Sequence, residues 1–306
     1  MEVRQLLYFI EVAERRSFTS AAAALYTTQP ALTKAVKQLE EELGVRLIER
    51  SNKFVQLTDT GEVFYQYAKE ICNQMDDLHR VVKDTERQVR GRVVIGAPVV
   101  STEFFADLIQ DFARDQPGIS VQVELMSSRE AVRAVLGQDC DIGIVMLPVA
   151  ADHRLSVRVI SSSVFSALVH RENPLAGRDI ITVDDLRDQP LILYNDDYPP
   201  HQNILDMCTR RGFLPRVADS NPRVQFLVRM TVNRKGLTIL PDPYIQEYGV
   251  EELISRPFQP EIPWEIAVIY KKDRYLSRAV KLVLDYTWEY FPDTSRAFIR
   301  TKRGAC

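Results

Sequence analysis

Residues Ser17 to Leu43, SFTSAAAALYTTQPALTKAVKQLEEEL, read as two short helices joined by a tight turn. The first helix is the Ala-rich run Ala21 to Leu25, with Ser17, Thr19 and Ser20 ahead of it as capping candidates, and the turn is Tyr26 to Thr28. The second opens with Thr27 or Thr28 as N-cap and carries Pro30 in its first turn, where a missing backbone N–H costs nothing. On a wheel of about 100° per residue, Leu32, Ala35, Val36, Leu39 and Leu43 fall on one face, which a core would hold. Pro30, Thr33, Lys34, Lys37 and Glu41 fall on the opposite face, with Gln29 beside them at the N-terminus. Free amides at a helix start approach phosphates, Gln and Thr hydrogen-bond base edges in a major groove, and the two lysines add a cationic, salt-dependent attraction. An ordinary amphipathic helix with a solvated polar face shows the same pattern, so the flanking sequence has to decide.

On the N-terminal side, Leu6, Phe9, Ile10 and Ala13 form an i, i+3, i+4, i+7 stripe, so residues 2–14 make a helix able to complete a trihelical unit. After Gly44, a C-cap candidate, Val45–Ile48 and Phe54–Thr58 read as two short strands. The hairpin they form is a wing, with Arg50 and Lys53 at its tip in reach of a minor groove or of phosphates. A long polar helix follows from Gly61 to about Gln88, with an apolar seam at Phe64, Ala68, Ile71, Met75, Leu78 and Val82. Alternating intervals of four and three are a heptad seam, which packs along a partner helix or along the helix's own domain. The charges flanking it favour the partner.

A chain of 306 residues, 45% hydrophobic and 26% charged, has room for more than one soluble domain. Its net charge of −3 rules out indiscriminate coating of nucleic acid, so any DNA binding comes from a local patch. No run approaches the roughly 18 apolar residues of a membrane span, and the N-terminus is amphipathic rather than signal-like. A cytoplasmic protein is expected. Cys72, Cys140, Cys208 and Cys306 are isolated, without a CxxC pair, and the four histidines lack ligand spacing, so neither a metal nor a cofactor is expected. Cys208 reads either as a buried thiol or as an oxidant sensor. An enzyme that has acquired a helix-turn-helix would need a nucleophile elbow, P-loop or dinucleotide fingerprint, none of which is present. An exported solute-binding protein would need a signal.

From Arg92 onward strands alternate with helices. Strands are expected at Val93–Ala97, Ser120–Leu125, Ile142–Leu147, Val157–Ile160, Val164–His170, Leu191–Tyr194, Leu237–Leu240 and Glu265–Tyr270. Helices are expected at Phe104–Arg114, Ser128–Leu136, Val183–Arg187, Asn203–Arg211, Arg223–Val232 and Ser277–Tyr290. This pattern implies mainly parallel sheets in two small α/β lobes. Ligands in such folds gather at strand C-termini and helix N-termini. Ser101 and Thr102, expected between the first strand and the helix at Phe104, and Ser127 and Ser128 after Leu125 are therefore binding candidates or plain N-caps. Asn195 and Phe226 follow in rank.

Residues 1–65 resemble the N-terminal domain of LysR-type transcriptional regulators. The spacing of Phe18, the Ala run, Gln29-Pro30-Ala31, Leu39-Glu40, Leu43-Gly44, Arg50 and Leu57-Thr58-x-x-Gly61 carries the resemblance. Thr33, where Ser is usual, Ile48, where Phe is usual, and the Tyr26-Thr27 turn depart from it mildly. It implies that Thr28, Gln29, Pro30, Thr33 and Lys34 line the major groove, that Arg50 and Lys53 serve the wing, and that the linker helix dimerises. The pieces GRVVIGA, DIGIV, HRENPLAG and KGLTILP resemble the effector-binding half of the same family, with Arg234 where Gly is commoner. The implied fold is α/β, with an N-terminal all-α winged helix-turn-helix and a two-lobed effector domain like type II periplasmic binding proteins. The implied organisation is a DNA-binding domain at 1–60, a linker helix at 61–90 and an effector domain at 91–306, with lobe I at 91–161 and 267–306 and lobe II at 162–266. The implied partners are double-stranded promoter DNA with an interrupted palindrome, further copies of the chain in a dimer or tetramer, and RNA polymerase. The effector is a small molecule, an anionic metabolite if helix N-termini hold it.

Overall fold

The structure is a computed structural model that describes residues 1–50, 55–84, 89–196 and 198–292, with residues 50, 83, 100–104 and 199 described by their backbone. The chain divides into two compact units, residues 1–88 and 89–306.

The first unit contains α1 (Val3–Arg15), α2 (Phe18–Ala24), α3 (Gln29–Leu43), β1 (Ile48–Arg50), β2 (Val55–Leu57) and α4 (Asp59–Lys83). Each of three helix starts is fixed by a hydroxyl: Ser17 accepts from Ser20 N–H, Thr28 from Ala31 N–H and Thr58 from Gly61 N–H. Gly44 ends α3 in the left-handed region at φ 69°, donating its N–H to Glu40 O. Leu32, Val36 and Leu39 of α3 pack with Leu6, Phe9, Val12, Phe18 and Ala21 into one core.

Two expectations are corrected here. α2 starts at Phe18, whose ring is buried, so the capping residue is Ser17 and the helix is longer than the Ala run. The first wing strand is Ile48–Arg50 rather than Val45–Ile48, because the Glu40 carboxylate accepts from Leu47 N–H at 2.9 Å and Ile48 N–H at 3.0 Å and holds the preceding segment against α3. Arg50 consequently pairs with Val55 instead of sitting in the tip. Its side chain, and Lys53 entirely, lie outside the described residues.

In α4 the predicted seam splits. Phe64, Ala68 and Cys72 pack inward, with Phe64 edge-on to Phe9 at 5.2 Å, and Tyr65 Oη donates to Glu14 Oε1 of α1 at 2.8 Å. Val63, Tyr67, Ile71, Met75, Leu78 and Val82 stay exposed, Leu78 at 59% and Val82 at 61%. Phe64 and Ala68 thus belong to the helix's own domain, and the outward row starts one residue earlier, at Val63.

The second unit opens with β3 (Gly91–Ala97), α5 (Val99–Asp115), β4 (Ile119–Leu125), α6 (Ser128–Gly137) and β5 (Ile142–Met146). The long β6 (Leu155–His170) leads to β7 (Ile181–Thr182), β8 (Pro190–Leu193), α7 (Pro199–Arg210), β9 (Arg216–Ser220) and α8 (Val224–Val232). β10 (Leu237–Pro241), α9 (Asp242–Tyr248), β11 (Leu253–Gln259), β12 (Pro263–Lys271) and α10 (Arg278–Tyr290) complete it. The strands run in the order β4-β3-β5-β12-β6-β10-β8-β9, with β11 on β6 and β7 on β11.

β6 joins the lobes. Leu155–Val164 pair with β12, and from Phe165 onward the strand pairs with β10 and β11. The two strands expected at Val157–Ile160 and Val164–His170 are one, and between them Ser161 is buried and in register with Ile266. The sheets are mixed rather than mainly parallel: β11 and β12 both run against β6, so the chain returns along the strand by which it left. The segment Val183–Arg187 is a 3-10 turn at Asp184–Leu186, too short for an α-helix. β7, β9, β11 and α9 were not anticipated; β9 is largely exposed and offers no apolar alternation.

Candidate nucleic-acid interface and ligand cleft

The face of α3 turned from the core carries most of the expected contacts. Thr28, Gln29, Pro30, Ala31, Lys34, Lys37 and Gln38 are all exposed. The hydroxyl of Thr28 is occupied by the Ala31 amide, so its role at this start is to aim the helix. Gln29 at the first helical position presents an amide with both donor and acceptor, the pairing that adenine edges require. Lys37 lies 3.3 Å from Glu41, an exposed pair worth little in water, while among the described residues Lys34 has no ion-pair partner. Thr33 is half-buried and its Oγ1 is shielded from solvent without a hydrogen bond, so it presents its methyl side rather than a free hydroxyl.

Sequence reading passed over Tyr26 as a surface feature. It occupies the turn before α3 with φ 49° and is 99% exposed, an aromatic ring in solvent at a position where its backbone is already strained. A large side chain where a turn prefers a small one was the available signal.

In the second unit a small hollow of about 70 Å³ lies where β6 and β12 pass between the lobes. Met146, Leu147 and Pro148 beyond β5 line one side, Phe165, Ile262, Pro263 and Trp264 the floor, and Pro200 and Asn203 of α7 the other side. The lining is apolar except for the Asn203 amide. Trp264 is held edge-on by Tyr244 at 5.5 Å, and Tyr194 stacks on Tyr198 at 5.5 Å. Complete burial pushes the Tyr194 phenol well above its ordinary value of 10. The neighbouring His201 is buried, with Nδ1 against the Tyr194 carbonyl and Nε2 3.2 Å from Asp196.

None of the six sequence-derived effector residues lines this hollow, though Ser128 touches its rim by accepting the Met146 N–H at 3.0 Å. Ser127 caps α6 in a reciprocal box with Glu130, the plain capping role. Ser101 and Thr102 lie in the first turn of α5, not ahead of it, because the helix starts directly after Pro98 and runs through Val99 and Val100; their side chains lie outside the described residues. Asn195 follows β8, and its carbonyl accepts from Tyr198 N–H. Phe226 packs against the core from α8. Pro200, Asn203 and Trp264 come from distant segments, and nothing local in the sequence marks a hollow assembled from them.

Burial pushes the thiols of Cys140 and Cys208 up to about 11. Among the described residues no cluster of His, Cys, Asp and Glu could hold a metal, and no helix is long and apolar enough to cross a membrane.

Two family models match this chain: residues 3–62 match the bacterial regulatory helix-turn-helix protein, lysR family, and residues 86–292 match the LysR substrate binding domain. An uncharacterised HTH-type transcriptional regulator of Bacillus subtilis, YwbI, is 33% identical over 97% of this chain and 99% of its own. AlsR, another HTH-type transcriptional regulator of that bacterium, is 29% identical over 90% of this chain and 92% of its own. Among solved structures, a full-length single-residue variant of OxyR from Pseudomonas aeruginosa is similar with a TM-score of 0.73 at 21% identity, covering 100% of this chain and 99% of that one. Full-length CbnR in complex with its target DNA is similar with a TM-score of 0.62 at 21% identity, covering 94% of this chain and 99% of that one.

Proposed function

This protein belongs to the LysR family of DNA-binding transcriptional regulators with an effector-binding domain, and from that premise we propose how its own residues divide the work. Residues 1–60 read DNA, 61–90 pair two chains, and 91–306 sense a small molecule. The observation that carries the DNA reading is the exposed, uncharged-to-cationic face Gln29, Pro30, Lys34 and Lys37 on a helix whose start is fixed by Thr28. Gln29 reads a base edge, Lys34 binds phosphate, and Arg50 serves the wing.

The outward row of α4, Val63 to Val82, meets its copy in a second chain, which gives two heads related by a two-fold axis and a promoter site in two halves. The effector lies in the hollow between the lobes, its apolar part against Trp264 and Phe165 and a polar group on Asn203. A molecule that binds one arrangement of the lobes better than another shifts the population of arrangements, and with it the spacing of the DNA heads. The protein acts in the cytoplasm with RNA polymerase, and catalyses no reaction.

A thermal-shift screen of the full chain with small carboxylates and neutral aromatic or aliphatic metabolites tests the sensing role, because binding to the folded form adds RT ln(1 + [L]/Kd) to its stability. A ligand that raises the melting temperature should lose that effect in Asn203→Leu while DNA binding persists. A transcriptionally active effector indifferent both to Asn203→Leu and to Trp264→Leu would move the site elsewhere.

A further inference from the structure

The first unit neutralises several of its cations internally. Arg15 pairs with Glu11, Lys37 lies 3.3 Å from Glu41, and the N-terminal ammonium pairs with Glu42 at 2.6 Å. Arg4 is treated differently. Its Nε donates a 2.8 Å hydrogen bond to Tyr8 Oη one turn along α1, and its guanidinium carbon stands 5.2 Å from the centre of the Tyr8 ring. Tyr8 itself is buried at 7% exposure, whereas Arg4 is exposed. The Thr27 hydroxyl also faces the Tyr8 phenol, and Thr27 and Arg4, the former more strongly, hold that phenol below its ordinary range. Thr27 directly precedes Thr28, the N-cap of α3.

Arg15 and Lys37 each sit against a carboxylate. Arg4 is instead oriented by a neutral phenol, which leaves its full positive charge and its two Nη groups for an outside partner. The anchor ties it to the turn from which the reading helix starts, where a groove-bound helix brings the flanking phosphates. A planar guanidinium with one edge fixed and the other open suits the oxygens of a phosphodiester.

We propose that Arg4 is a DNA phosphate-binding residue and Tyr8 the positioning residue that aims it. This rests on the reading of α3 as the helix that enters the groove. The contact carries no sequence preference; it fixes the register of the head on the duplex and contributes to its salt dependence.

The test uses the full-length chain and a duplex that the same chain has enriched from a random library, titrated at several salt concentrations. Each phosphate contact contributes about 0.9 to the slope of log K against log[salt], so Arg4→Gln in both heads of a dimer should lower that slope by about 1.8 and weaken binding severalfold. Arg4→Lys keeps the charge and should keep most of the slope. Tyr8→Phe should weaken binding in the wild-type chain and add nothing once Arg4→Gln is present, a coupling that loss of fold stability alone would not produce. Sequence preference stays unchanged in all three. If Arg4→Gln leaves slope and affinity at the wild-type values while Lys34→Ala lowers both, Arg4 is not a phosphate contact. Should neither variant matter, the α3 reading itself fails.

Discussion

Asp141 and Arg274 form an ion pair inside the second unit, 3.1 Å apart with each side chain at most 5% exposed, and the second Asp141 oxygen accepts the Val94 N–H at 2.9 Å. Such a pair adds little over apolar packing, but removing one partner strands the other charge out of water. Asp141→Ala should therefore cost about 3–5 kcal/mol in urea unfolding of the full chain, and Arg274→Met in that background should recover part of it. A cost below about 1 kcal/mol would mean that water reaches the stranded guanidinium. The thiols follow the same logic of burial. Cys140 and Cys208, raised to about 11, are protonated at neutral pH and should resist peroxide and thiol reagents in the native protein while reacting once it is unfolded. Rapid native labelling of Cys208 would revive an oxidant-sensing role. These pairings were only partly legible. The aspartate in DIGIV is visible, but its partner lies more than a hundred residues away, and no local pattern announces it. Arg234 was legible as a departure, and its backbone explains why: φ is 58°, the left-handed region that favours glycine, while its side chain makes a surface ion pair with Glu172.

The helices of the first unit were the most readable elements because they carry local signals, and α3 carries most of them: a hydroxyl cap, an apolar stripe, Pro30 near the start and Gly44 at the end. Gly61 shows how tightly those signals interlock, since a Cβ there would collide with the Leu47 carbonyl, which accepts from Thr58 N–H in the same corner. The linker helix was readable in kind but not in detail. A heptad pattern alone does not separate residues that pack on α1 from those that face outward, and Phe64 and Ala68 proved to be the former. The outward row makes a direct prediction. Ile71→Asp with Leu78→Asp places four carboxylates in a two-helix seam at a cost of several kcal/mol, so sedimentation should show dissociation or marked weakening of the dimer, with each unit still folded. An unchanged sedimentation coefficient would exclude these side chains from the interface. The edge strand β9 and the short β7 lay beyond local reading, because their existence depends on strands that reach them from elsewhere in the chain.

The two units place their functions on different kinds of feature. The proposed DNA-reading residues share a continuous helix face, so Gln29, Lys34 and Lys37 could be assembled from spacing alone. The hollow proposed for the effector gathers residues 146–148, 165, 200, 203 and 262–264, and only the path of β6 and β12 between the lobes brings them together. Ser128, at a strand end, meets only its rim, through the Met146 N–H. In the proposed function, the exposed face of α3, doubled by a two-fold axis, specifies the DNA sequence. Enrichment of duplexes from a random library by the wild-type chain and by Gln29→Ala tests this role. The wild type should select two inverted half-sites whose centres lie one helical turn or a multiple apart, and Gln29→Ala should lose preference at one base pair in each half, by about 1–3 kcal/mol, with the spacing retained. Selection of the same motif with the same stringency by both proteins, or of no two-fold related motif by the wild type, would take sequence reading away from this face.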